Sequence, residues 1–273
     1  MIRGLLIGAF FFGMTPVLIS LQWLLGKLRL PGWAFIARNY YRVLCRLLRI
    51  RVRVVGKPVR NRPVLFVGNH VSWADIVTIG SLQAVAFVAK RDVRKWPLVG
   101  ITAEIQRTVF VDRERRHRTA DAVHEMVARL KDGVSVMLFA EGTSSDGNRV
   151  LPFRSALLGA VEMAAKSAPE PILIQPMAVT YTAQQGMPMA RRDRPLAAWY
   201  GDMDFMPHIK EFIRTAVVDV TISYGDPVVA DGNLDRKELT ARLEQATRAM
   251  LMEALSGRRP SASFHVKPAA GAE

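Results

Sequence analysis

The chain has 273 residues, half of them hydrophobic, and carries 38 Lys and Arg against 24 Asp and Glu, a net charge of +14. That length suits one large domain or a domain with an appendage, and the apolar fraction excludes wholesale disorder. The charge favours an anionic partner, whether membrane surface, nucleic acid or acidic ligand, and the single Cys45 excludes an intramolecular disulfide and a Cys-rich zinc module.

Between Arg3 and Lys27 there is no ionisable side chain, and Leu, Ile, Phe, Val, Met and Gly dominate. Such a run is long enough to span a bilayer, which takes about 20 apolar residues. A retained membrane anchor is the expectation, because the run ends in Leu24-Leu25-Gly26-Lys27 where a signal peptide would show a small-x-small cleavage site. A cleaved signal and a buried core helix are the alternatives. Thr15, Pro16, Ser20 and Gln22 make the span imperfect, and a bent helix dipping into one leaflet satisfies the same pattern. Lys27, Arg29, Arg38, Arg42 and Arg46 follow, which by the positive-inside rule puts this flank and the body after it at the cytoplasmic face of the inner membrane.

From Trp33 to Leu48 the residues Arg38, Arg42, Arg46 and Arg49 recur at helical spacing, with Ile36, Tyr40, Val43, Leu44 and Leu47 on the other face. This predicts an amphipathic helix with a cationic stripe suited to anionic headgroups. Arg49, Arg51 and Arg53 then alternate with Ile50, Val52 and Val54, a period of two that marks a half-exposed strand. Short apolar runs follow at Val64 to Gly68, Val85 to Ala89, Val109 to Val111, Val134 to Phe139, Ile172 to Tyr181 and Val217 to Tyr224. Helical patterns lie between several of them, at Thr119 to Lys131, Ser155 to Ser167 and Asp235 to Ser256. Strands alternating with helices predict an α/β domain with a mostly parallel central sheet flanked by helices. The expected organisation is a membrane anchor and interfacial helix over 1–48, a catalytic domain over 49–256 and a flexible tail over 257–273.

Active sites in such sheets gather at the carboxyl ends of strands. Val64 to Gly68 leads into Asn69-His70-Val71-Ser72-Trp73-Ala74-Asp75. Asp75 at the start of a helix reads most simply as helix-end electrostatics, and a lone His as a structural one. Their spacing also lets the carboxylate accept a hydrogen bond from one imidazole nitrogen, which fixes the tautomer and leaves the other nitrogen free as a general base. The second cluster, Ala140-Glu141-Gly142-Thr143-Ser144-Ser145-Asp146-Gly147, follows another strand. It is either an ordinary strand-to-helix turn or a glycine-rich loop that binds a polar headgroup. Lys90, Arg91, Arg107 and Arg154 stand near strand ends and suggest an anion pocket, against the plainer reading of a solvated basic surface.

These residues carry a family resemblance. His70 and Asp75 match the His-x-x-x-x-Asp motif of the glycerolipid acyltransferases of the 1-acylglycerol-3-phosphate acyltransferase type. Lys90-Arg91-Asp92-Val93, Pro97 and Gly100, with Arg107, resemble the second block, and Phe139-Ala140-Glu141-Gly142-Thr143-Ser144 the third. Gln175-Pro176-Met177 resembles the fourth. Four blocks in order, across about Arg51 to Tyr224, are a strong signal where any one would be weak. The resemblance implies transfer of a fatty acyl group from an acyl carrier protein or coenzyme A thioester, entering as cosubstrate, to the hydroxyl of a lysolipid. It makes His70 the base and Asp75 its orienting partner. It makes Glu141, Gly142 and Thr143, with Lys90 and Arg107, the acceptor contacts, and Arg91, Ser144 and Arg154 beside them complete the expected substrate-binding set. It requires no cofactor, no metal and no acyl-enzyme, in keeping with the lack of a Gly-x-Ser-x-Gly elbow.

One departure bears on the acceptor. The third block of the lysophosphatidate-specific pattern commonly ends in Arg, suited to phosphate, and Ser144 carries no charge. Glu141 to Leu157 and Trp199-Tyr200-Gly201-Asp202-Met203 are similar to the branch that acylates lyso-ornithine lipid. Its headgroup holds an amine and a carboxylate, for which Asp146 and Arg154 are the expected partners. Two other classes compete with an enzyme: a non-catalytic lipid-binding membrane scaffold, and a basic nucleic-acid-binding protein. The second lacks an aromatic-interleaved basic motif and leaves the apolar leader unexplained, so no nucleic-acid partner is expected.

Overall fold

A computed structural model describes residues 2–28, 32–111, 117–156, 158, 171–215, 217–230 and 235–257. The helix expected over Ser155 to Ser167 and the tail beyond 257 lie largely outside the described residues. The sheet contains β1 (Ile50–Val55), β2 (Val64–Gly68), β3 (Ala86–Lys90), β4 (Val109–Val111), β5 (Val136–Phe139), β6 (Ile172–Gln184), β7 (Met187–Pro188), β8 (Val218–Tyr224) and β9 (Val228–Ala230). Its order is β1-β8-β6-β2-β5-β3-β4, with β7 and β9 paired to β6. The pairs β1–β8, β2–β6, β2–β5, β3–β5 and β3–β4 are parallel, whereas β6 runs antiparallel to β7, β8 and β9. The mostly parallel, helix-flanked sheet read from the sequence is therefore present, with an antiparallel sector around β6.

Strand β2 is buried along its whole length because both faces of the sheet are covered. Val64 and Phe66 belong to the core shared with α2 (Trp33–Leu48) and α3 (Ala74–Leu82). Leu65 and Val67 belong to the core shared with α5 (His117–Lys131) and α7 (Arg236–Ser256). A strand covered on both sides reads as a continuous apolar run, which is how Val64 to Gly68 stands in the sequence. At the sheet edge, β1 alternates from buried Ile50 to exposed Arg53 and then departs from the expected period, since Val54 is exposed as well, and Arg51 pairs with Asp219 of β8 at 3.6 Å.

The apolar segment forms α1 (Ile2–Lys27), with a π-helical stretch at Phe10–Met14. It is long and apolar enough to cross a membrane, yet it lies against the body at both ends. Near its start, Arg3 donates to Leu47 O at 3.0 Å, Leu48 O at 2.5 Å and Thr215 O at 2.9 Å. Toward its end, Gln22 donates to Trp33 O at 3.1 Å, and the Thr15–Lys27 part packs on α4 (Val99–Ile105). The side facing α2 runs Arg3, Ile7, Phe10, Thr15, Leu18, Gln22. The step of five from Phe10 to Thr15 falls where the wider π turn absorbs the extra residue, so the stripe continues without a break. Thr15 and Gln22, the polar blemishes of a membrane span, are thus buried: Thr15 Oγ1 and Tyr40 Oη share a hydrogen bond at 3.0 Å. The opposite side exposes Ile2, Leu5, Leu6, Phe12, Val17, Leu21, Trp23 and Leu24. Leaving large apolar side chains in water forgoes about 1.5–3 kcal/mol each, so this side calls for an apolar medium.

Candidate active site

The site stands at the carboxyl ends of β2 and β5. Where β2 ends, Gly68 lets the backbone of β6 come close, since a Cβ there would sit 2.4 Å from Met177 O. Asn69 then ties the turn to β6, donating to Val179 O and accepting from Val179 N–H, both at 2.9 Å. The chain reverses into α3, and this brings His70 Nδ1 to 2.8 Å from Asp75 Oδ2. The same oxygen accepts the N–H of Val71 at 2.7 Å and of Ser72 at 3.1 Å, and Oδ1 accepts the hydroxyl of Tyr181 at 2.8 Å. Asp75 is fully buried, whereas the His70 side chain keeps 20% of its surface exposed. A buried carboxylate acceptor makes Nδ1 the protonated nitrogen, which leaves Nε2 as the lone-pair nitrogen. The imidazole stacks on Phe139 at the end of β5, with ring centroids 4.0 Å apart and planes 17° apart. Phe139 in turn stacks on Phe87 of β3 at 6.5 Å.

The third block closes around this loop. Glu141 is buried, and both carboxylate oxygens face inward: Oε2 accepts the N–H of His70 at 2.9 Å and Oε1 that of Leu151 at 2.7 Å. Burial pushes its carboxyl up to about 8 against the pull of these two hydrogen bonds. Gly142 has a φ of +71°, and a Cβ there would meet Arg154 Cδ and Nε at 2.7 Å. Arg154 lies across this glycine, its Nε donating to Glu141 O at 3.3 Å, and the residue is exposed. Thr143 is exposed and Ser144 half-buried beside it. Ser145 N–H donates to His70 O at 2.9 Å, a second tie between the two motif loops. For Asp146, burial works upward, but hydrogen bonds from Asn148 and nearby Arg149 and Arg191 hold it below the ordinary carboxylate range. Its two oxygens accept Asn148 N–H at 3.0 Å and Asn148 Nδ2 at 3.1 Å, so it is engaged within its own loop.

The basic residues divide. Lys90 and Arg91 lie at the carboxyl end of β3, on the same rim of the sheet as His70, and both are exposed. Arg107 precedes β4, at the amino end of that strand, where its guanidinium lies 5.2 Å from the centre of the Trp33 ring. It lines a cavity of about 490 Å³ with Arg60, Arg62 and Ser135, at the opposite end of the sheet from His70. The structure does not bring Arg107 to the motif loops, because the basic residue stands before its strand and the chemistry after it. Cys45 is buried on α2, with Sγ 3.6 Å from Val77 O, and burial pushes its thiol up to about 11.

Sequence reasoning missed three supports. Tyr181 sits in the apolar run of β6, and nothing in that run singles it out. Phe139 had a signal, as the residue opening the Phe-Ala-Glu-Gly block, but its ring contact with His70 crosses two strands. Trp73, inside the His70–Asp75 loop, donates from Nε1 to His208 Nδ1 at 3.0 Å. It also meets Phe205 and Phe212 edge-on, both on α6 (Phe205–Arg214). The Trp199 to Met203 segment packs on the same loop, Trp199 N–H donating to Val71 O at 2.9 Å.

A family model described as Acyltransferase matches residues 51–180, which include His70, Asp75, Glu141 and Arg154. A lyso-ornithine lipid O-acyltransferase of Brucella abortus is 44% identical over 94% of this chain and 97% of its own length. One from Rhizobium meliloti is 41% identical over 96% and 90%. A 1-acyl-sn-glycerol-3-phosphate acyltransferase of Neisseria gonorrhoeae is 26% identical over 73% and 74%. The solved 1-acyl-sn-glycerophosphate acyltransferase of Thermotoga maritima shares the fold, with a TM-score of 0.57 at 20% identity, covering 91% of this chain and 98% of that one. With its motif loops assembled at one sheet end and full-length relatives above 40% identity, this chain belongs to the acyltransferase family and is an enzyme of that class.

Proposed function

We propose that the protein is a lysolipid O-acyltransferase whose acceptor is lyso-ornithine lipid and whose donor is a fatty acyl thioester of acyl carrier protein or coenzyme A. In this reading His70 Nε2 takes the proton of the acceptor hydroxyl, and the oxygen attacks the thioester carbonyl. Asp75 holds Nδ1–H and offsets the charge of the imidazolium. The tetrahedral intermediate collapses by breaking the carbon–sulfur bond, and the thiolate takes the proton back from His70. The reaction proceeds by direct transfer, and the buried Cys45 thiol is no candidate for an acyl-enzyme.

The observation that carries the reading is the His70–Asp75 pair at 2.8 Å, exposed at Nε2's ring and buried at the carboxylate, in a chain 44% identical to a lyso-ornithine lipid O-acyltransferase. Ser144 in place of a basic residue favours the same acceptor over a phosphomonoester. Arg154 is assigned to the headgroup carboxylate, since its Nε is anchored and its side chain is exposed. Glu141 is assigned to holding the catalytic loop, because both of its oxygens accept backbone N–H groups.

Membrane attachment follows from α1. A helix of 26 residues is about 39 Å long, and one crossing a bilayer would part its ends by roughly the 30 Å hydrocarbon thickness. Here both ends touch the same body. We assign α1 and α2 to a hairpin lying in the cytoplasmic leaflet, with the apolar outer side of α1 among acyl chains. The experiment is an assay of purified protein in vesicles with lyso-ornithine lipid and lysophosphatidate, each with both thioester donors. Transfer to lyso-ornithine lipid is expected, and preferential turnover of lysophosphatidate would reassign the acceptor.

A further inference from the structure

Asp75 is completely buried, and its two oxygens have different partners. Oδ2 collects three N–H groups from its own loop, those of His70 Nδ1, Val71 and Ser72. Oδ1 depends on one donor from outside the loop, the hydroxyl of Tyr181 at 2.8 Å, reaching in from β6. Tyr181 is itself 1% exposed, among the largest fully buried side chains, and its hydroxyl is directed at the carboxylate. A buried oxygen deprived of its donor has no water to replace it.

We propose that Tyr181 is a positioning residue for the acyl transfer, its hydroxyl holding the Asp75 carboxylate fixed so that it can steady the imidazolium of His70. Tyr181 gives up no proton in the cycle. It stays a donor because burial and the adjacent Asp75 charge both push its hydroxyl well above the ordinary tyrosine range. Without it, Asp75 becomes the more basic partner. A more basic carboxylate binds the imidazolium more tightly, which reduces the neutral imidazole available at a given pH, and one that takes a proton itself no longer accepts from Nδ1–H and so loses the tautomer that leaves Nε2 free. The other titratable groups facing the cluster are Glu141, from the loop after β5, and Cys45, from α2. Both are retained in the variants below, so a difference between variants reports Tyr181.

The proposal rests on His70 acting as the base. The test compares full-length wild type, Tyr181→Phe and a protein with 3-fluorotyrosine placed at position 181, a better donor of the same shape, in vesicles across a pH series. Tyr181→Phe should lower kcat about tenfold, leave KM for lysolipid and thioester within about twofold, and move the acid limb of kcat to higher pH. The fluorinated protein should move that limb to lower pH. A packing role predicts no such opposed pair. If Tyr181→Phe does not fold, the fluorinated protein decides alone, and an acid limb that stays put or rises overturns the proposal. So does a Tyr181→Phe enzyme with the wild-type kcat and pH profile. His70→Ala, run alongside, separates the two claims: if it is inactive while Tyr181→Phe is unchanged, only the role of Tyr181 falls. If His70→Ala turns over like wild type, the base assignment fails and takes the role of Tyr181 with it.

Discussion

Glu141 Oε2 accepts the backbone N–H of His70 at 2.9 Å, so the most acidic-looking residue of the third block faces into the protein and grips the catalytic loop from behind. Its carboxyl is pushed from 4.5 up to about 8 by burial, which means that the folded protein holds a proton there that the unfolded chain has released. The folded state therefore binds more protons between about pH 4.5 and pH 8, and its stability should fall as pH rises through that window. Chemical unfolding of wild type and Glu141→Gln at pH 5 and pH 8 checks this. Wild type should lose of the order of a few kcal/mol more than the variant over the interval. The variant, with an amide unable to accept both N–H groups, should start about 1–3 kcal/mol less stable at pH 5.

Gly142 and Arg154 make a second prediction. Gly142→Ala forces a side chain into a left-handed backbone position and into the path of Arg154, so it should cost about 1–3 kcal/mol and displace the guanidinium. Arg154→Ala leaves the backbone alone. It should raise KM for lyso-ornithine lipid about tenfold or more, consistent with the loss of a charge-assisted contact, while KM for the thioester stays near its wild-type value. Steady-state kinetics with each substrate varied in turn separate these outcomes.

Leu28 and Ile2 lie at the two ends of α1, and both are exposed. In a Cys45→Ala background, a single cysteine at Leu28 should react with a membrane-impermeant maleimide from the cytoplasmic side, and neither it nor one at Ile2 from the far side. A bilayer-spanning helix would label its two ends from opposite sides. Replacing Arg3 by Ala should free the start of α1 from Leu47, Leu48 and Thr215 and speed proteolysis near that end without releasing the protein from membranes.

The α/β order was legible because β2 and β5 are buried on both faces and read as unbroken apolar runs, ending at the residues that begin the motif loops. The His70–Asp75 pairing was legible from spacing alone, since a turn into a helix brings positions five apart within reach. Arg107 illustrates what spacing near a strand leaves open: it precedes β4, and in a parallel sheet the residue before a strand and the residue after it lie at opposite ends. The run from Arg3 to Lys27 reads as a membrane segment from its composition, which reports the average of a helix and leaves its two sides undistinguished. Thr15 and Gln22 are the side that packs, and the π turn that aligns them has no sequence mark. Tyr181 was hidden for a related reason, as an aromatic residue in a buried strand is expected to pack, and its hydroxyl acquires a purpose only across 106 residues of chain.

The most direct test is single-turnover acyl transfer to lyso-ornithine lipid in vesicles by wild type and His70→Ala, with binding of the lysolipid measured in parallel. The account predicts that the variant folds, stays on the membrane and binds lysolipid as wild type does, while transfer falls at least about a hundredfold, the scale of a lost general base. Transfer by His70→Ala at the wild-type rate would contradict it.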